Sequence, residues 1–161
     1  MMVGPGWPYW AFIGLLAAAH FTLHLALGLG PEAPDLLTVA VLLAARNTSG
    51  AVAAAIGLVL GMLQDALSLV AFGAEAVTLT VLGYLGARSR DLFVGESLGF
   101  VGLYLFVGKW LHDAIYYTLA GPVLRGDAVV RYLIMAPLAA LYAAVAGVLV
   151  LMLYRFATGE R

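Results

Sequence analysis

Cysteine is absent from this chain, which excludes disulfides and thiolate metal ligands and leaves the redox compartment open. Charge is scarce: 11% of the 161 residues are charged, against about 25% in a soluble domain. The formal net charge of −1 lacks the basic excess that displaces counterions from nucleic acid. No Lys or Arg precedes Arg46, so the apolar stretch at residues 9–29 does not have the basic start of a removable secretory signal. It reads as a retained helix, with Trp7, Tyr9 and Trp10 in an interfacial aromatic belt and Gly28, Gly30 and Pro31 at its end. Also missing are a Gly-x-Ser-x-Gly elbow and a His-Glu-x-x-His helix, so neither hydrolysis by Ser49 or Ser68 nor a zinc site finds support.

What is present is apolar. With 64% hydrophobic residues and a mean hydropathy of +1.02, the composition predicts an integral membrane protein. A crossing needs about 20 residues, so the chain has room for five or six helices in one compact domain, residues 1–161. After the first segment, turn residues divide the rest into segments at 35–45, 50–72, 74–87, 97–119 and 132–156. The second and fourth are short, reaching about 22 Å of a roughly 30 Å hydrocarbon core even with their flanks, and are expected to be tilted pieces shielded by longer neighbours. Charge favours six crossings with both termini in the cytoplasm. Arg46, Arg88, Arg90, Arg155 and Arg161 then lie inside, whereas Arg125, Arg131, Glu32, Asp35, Glu75 and Asp127 lie outside.

Asp65 is the most informative residue. A carboxylate near the centre of a spanning helix costs roughly 2.5–3.5 kcal/mol even on lenient insertion scales, so such an acid is usually shielded or used. Gly57 and Gly61 precede it by two turns and one turn, and with Gly50, Ala54, Gln64 and Ser68 they form a small-residue face on segment three. Segment five repeats the layout with Gly95, Gly99, Gly102, Phe106, Lys109 and Asp113. The two segments point the same way and their glycine-lined faces are expected to meet, which predicts a buried polar cluster of Gln64, Asp65, Lys109, His112 and Asp113. In it Lys109 neutralises Asp65, Asp113 or both. His20 and His24, one turn apart, read as hydrogen-bonded structural histidines rather than metal ligands. No catalytic, cofactor or metal site is expected.

The run Ala33-Pro34-Asp35-Leu36-Leu37, then Arg46, Gly50, Gly57-x-x-x-Gly61-x-x-x-Asp65, Gly73 and Tyr84-Leu85-Gly86, resembles the bacterial rod shape-determining protein MreD family. That family shows Pro-Asp-Leu opening the second helix, a glycine-rich third helix closing in Gly-Leu-x-x-Asp and a glycine some residues later. Here Met62 replaces the usual Leu, and the likeness covers residues 33–90, weakening beyond Arg90. Pro34, Asp35, Gly50, Gly57, Gly61, Asp65 and Gly73 carry it. The resemblance implies an all-α, multi-pass protein of the bacterial inner membrane and a non-catalytic role in cell elongation. The implied partners are MreC, the glycosyltransferase RodA and a class B penicillin-binding transpeptidase. It also implies a six-helix bundle similar to the substrate-binding components of energy-coupling-factor vitamin transporters. Binding of a small solute is therefore the alternative function.

Overall fold

The protein is described by a computed structural model over residues 6–26, 33–67, 71–90, 97–120 and 127–159. Every regular element among these residues is helical. Helix α1 (Trp7–Phe21) continues into a π-helical turn, Thr22–Ala26. It is followed by α2 (Leu36–Arg46), α3 (Gly50–Leu67), α4 (Ala74–Ser89) and α5 (Leu98–Ala120). The last helix, α6 (Ala128–Thr158), has a π-helical stretch at Arg131–Met135. The expected segments thus correspond to helices. Helix α3 is described as far as Leu67, and α6 begins four residues earlier than anticipated. Gly28, Gly30 and Pro31, read as the end of the first helix, lie outside the described residues, as do Ser68, Gly95, Arg125 and Arg161.

Local chemistry explains several boundaries. Pro34 precedes α2, and Asp35 caps its first turn, accepting from the Thr38 amide at 3.0 Å and from the Thr38 hydroxyl at 2.6 Å. Gly73 opens α4 with φ +89°, a left-handed conformation that favours glycine. Pro8 stands in the first turn of α1, where its missing amide leaves no bond unmade, whereas Pro137 lies inside α6 just after the π-helical stretch, where a residue without an N–H interrupts the regular ladder.

Helix α2 is the centre of the molecule. All ten residues from Leu36 to Ala45 are buried, and α1, α3, α4, α5 and α6 all pack on it. A helix that is apolar all round has no solvent or lipid face to present, and a length of about 16 Å suits a core element better than an independent crossing. Side-chain pairings give the directions of its neighbours. The Tyr9 hydroxyl donates to the Leu43 carbonyl while His20 meets Leu37, so α1 and α2 are antiparallel. The Tyr104 hydroxyl reaches the Leu42 carbonyl while Lys109 meets Asp35, so α2 and α5 are antiparallel as well. The stacking of Phe12 on Tyr154 gives α1 and α6 opposite directions.

The glycine face of α3 finds α4, not α5. A Cβ added at Gly57 would overlap the Leu79 carbonyl, and one added at Gly61 would come within 2.6 Å of the Ala76 Cα. From the other side, Gly83 of α4 lies equally close to the Ala53 carbonyl. This antiparallel pair forms the most extensive helix contact in the protein. The expectation that the small faces of segments three and five meet each other is therefore corrected. In α5, Gly102 faces Val148 of α6 and Gly108 seats on Leu42 of α2. Backbone-to-backbone approach at Gly57 and Gly61 consumes the α3 face within the chain.

Two helices, Gly50–Leu67 and Ala128–Thr158, are long and apolar enough to cross a membrane. Only 22% and 28% of their most apolar windows are buried, so both turn most of their hydrophobic surface outward. Leu58, Val59 and Met62 on α3 and Leu138, Leu149 and Leu153 on α6 belong to that surface.

Candidate functional site

A cavity of about 280 Å³ opens at one end of the bundle, where α1, α3 and α5 finish and α2, α4 and α6 begin. Four of the five residues expected in a polar cluster, Gln64, Lys109, His112 and Asp113, line it. The expected pair between Asp65 and Lys109 is corrected. Lys109 Nζ donates to Asp113 Oδ1 at 2.6 Å, one turn along α5, and to Asp35 Oδ2 at 2.7 Å, across on α2. The first contact is one of the options that the sequence left open; the second joins the tip of the central helix to α5. His112 extends the network, with Nδ1 3.1 Å from Asp113 Oδ1 and Nε2 3.0 Å from Glu75 Oε2 on α4.

Asp65 does different work. It is buried, and its two carboxylate oxygens accept from the amides of Glu75 and Ala76 at 3.2 and 2.8 Å. These are free donors of the first turn of α4, whose own N-cap, Gly73, has no side chain to offer. Asp65 therefore caps the following helix from the end of the preceding one, and the helix dipole compensates its charge. Glu75 links the two systems: its amide is held by Asp65 and its carboxylate by His112.

Pro34 and Asp35 open α2, Gly57 and Gly61 receive α4, Asp65 caps α4, and Gly73 turns the chain between them. Gly50 abuts the Tyr84 ring, within 3.1 Å of a Cβ position. Sequence reasoning assigned Asp35 and Glu75 to the outer end without joining them to Lys109 and His112. The usable signal was direction: the starts of the second and fourth helices share an end with the close of the fifth.

His20 and His24 stack with ring centroids 4.0 Å apart, and His24 Nδ1 lies 2.9 Å from the His20 carbonyl oxygen. Among the described residues no group of three or more His, Asp and Glu is arranged to hold a metal ion. The Leu37 amide donates to His20 Nδ1 at 3.3 Å, which leaves the ring proton on Nε2. That Nε2 and Asp113 Oδ2 are buried without a hydrogen-bond partner. A buried array of this kind can hold charge and donate or accept hydrogen bonds.

No protein-family model, curated protein or solved structure matches the chain.

Proposed function

We propose that this chain is a non-catalytic membrane scaffold of the bacterial cell-elongation machinery, as its resemblance to the MreD family implies. In this reading it is a six-span protein of the inner membrane with both termini cytoplasmic. It docks MreC and, with it, RodA and the class B penicillin-binding transpeptidase. One observation carries the proposal: the residues of the family-like motif are the ones that build the bundle. Asp35 and Asp65 cap two helices and the intervening glycines allow backbone contact, so the motif defines a rigid frame rather than a reaction centre. Alternating helix directions gather Arg46, Arg88, Arg90 and Arg155 at the end opposite the cavity, in keeping with a cytoplasmic face there. Because Gly57 and Gly61 are spent on α4, a partner helix would use the outward apolar faces of α3 or α6 instead.

Affinity capture of the tagged chain from native bacterial membranes tests the proposal. Recovery of MreC together with RodA or the transpeptidase is expected; a preparation free of all three overturns it.

The 280 Å³ cavity favours a second reading, a solute-binding membrane component. Saturable stabilisation of the purified protein by one compound of a vitamin panel would support that role. Absence of any such compound, with partner capture intact, would leave the scaffold alone.

A further inference from the structure

A second cavity, of about 290 Å³, lies on the flank of the bundle between α4 and α5. Its floor is Leu42 of α2 with Leu82 and Tyr104, all buried. Its rims are Leu85 of α4 and Val107 and Leu111 of α5, all exposed. Gly86 and Gly108 bring the two helices down onto this floor, where an added Cβ would come within 2.8 Å of the Tyr104 hydroxyl and 2.5 Å of Leu42 Cδ1, respectively. Neither helix therefore offers a side chain at these points of the wall.

The groove is polar at one end only. Leu82 and Leu111 lie near the middle of their helices, and six residues of α4, about 9 Å of rise, separate Leu82 from Arg88. Arg88 is exposed at the mouth beside Ser89, whose hydroxyl donates to the Gly86 carbonyl at 3.2 Å. The guanidinium is thus the donor that this end presents. Among the described residues every carboxylate, those of Asp35, Asp65, Glu75, Asp113 and Asp127, stands at the opposite end, so none of them neutralises Arg88. Hydrocarbon walls from mid-helix and a cation at the cytoplasmic close of α4 follow the order of groups along one membrane leaflet, acyl chain below and headgroup at the surface. A partner's spanning helix would cover the same walls without of itself supplying an anion; a phospholipid supplies both in one molecule. We infer that the groove binds an anionic phospholipid of the cytoplasmic leaflet, with an acyl chain between the rims and the phosphate on Arg88. The inference rests on the membrane-spanning part of the proposed function and is independent of the cell-elongation role.

The full-length protein in mild detergent is mixed with dioleoyl phosphatidylglycerol, dioleoyl phosphatidylcholine or inorganic phosphate, and followed by thermal unfolding and by native mass spectrometry of the retained lipid. Phosphatidylglycerol is expected to bind saturably and about fivefold more tightly than phosphatidylcholine, the contribution of one interfacial cation. Arg88→Gln is expected to remove that preference without unfolding the protein. Arg90→Gln is the control: it loses the same charge, but Arg90 Nη1 donates to the Thr48 carbonyl at 2.9 Å, away from the groove, so the preference should persist. Val107→Trp fills the groove from its exposed rim and should weaken binding of both lipids about tenfold. Equal affinity for the two lipids, equal losses in the two arginine variants, or undiminished binding to folded Val107→Trp overturns the inference. Saturable stabilisation by inorganic phosphate alone would make Arg88 a free-anion site, and cross-linking of a partner protein to Val107→Cys in native membranes would put a helix in the groove; either overturns it as well. If the lipid preference fails while the chain stays in carbonate-washed membranes, the spanning reading survives; release of the chain by carbonate removes both.

Discussion

Lys109 and Asp65 are both buried charged side chains, yet they are neutralised by different means, and mutation should separate them. Lys109→Met removes the counter-ion of the buried Asp113 and of the partly buried Asp35, and is expected to cost about 3–5 kcal/mol. Asp65→Ala removes a helix cap and leaves two amides of α4 without partners, a loss of about 1–2 kcal/mol. Denaturant unfolding of the purified variants measures both. The charge exchange Asp65→Lys with Lys109→Asp is expected to be worse than either single change, since no direct pair exists to be reversed; recovery of stability in the double variant would contradict this geometry. Residue types in the sequence disclosed that Lys109 would be buried with acids, and the i, i+4 spacing offered Asp113. Asp35 as the second partner was not legible, because a cap on one helix and a lysine 74 positions later are connected only by the packing of α2 on α5.

Helix α3 shows how a pattern can be read correctly and its partner misassigned. The Gly57-x-x-x-Gly61 spacing announces a close helix contact, but close contact is a property of two surfaces and only one of them is visible in the stripe. The answering features on α4 are a single glycine, Gly83, and the small residue Ala76, too sparse to stand out as a second stripe. Gly57→Ala and Gly61→Ala each introduce a Cβ against α4 backbone, so each is expected to destabilise the protein by about 1–3 kcal/mol, and the leucine variants by more. Gly14 on α1 is the control. A Cβ there meets nothing within 4 Å, so Gly14→Ala should be neutral or stabilising by up to about 1 kcal/mol through helix propensity. Unfolding in mixed detergent micelles compares the three; equal effects would place the α3–α4 contact elsewhere. Helix α2 was also only partly legible: its shortness and apolarity signalled shielding, whereas its central position emerges from contacts with all five other helices.

The whole molecule joins an apolar exterior to one polar end, and a membrane account explains both. Outward-facing leucines and valines on α3 and α6 are costly in water and neutral in lipid, while the carboxylates, lysine and histidines at the cavity end need either each other or water. The frame built by Asp35, Asp65 and the glycines holds that polar end in place, and the proposed partners would bind around it. The absence of natural cysteine makes this arrangement directly measurable. Asp127, exposed at the start of α6, and Thr158, exposed at its close, can each be replaced by a single cysteine in otherwise unaltered protein. Intact cells are then treated with a membrane-impermeant maleimide. The account predicts labelling of Asp127→Cys, on the cavity side, and labelling of Thr158→Cys only after the inner membrane is opened. Labelling of both in intact cells, or of Thr158→Cys alone, would contradict a bundle that spans the membrane with its polar cavity outward.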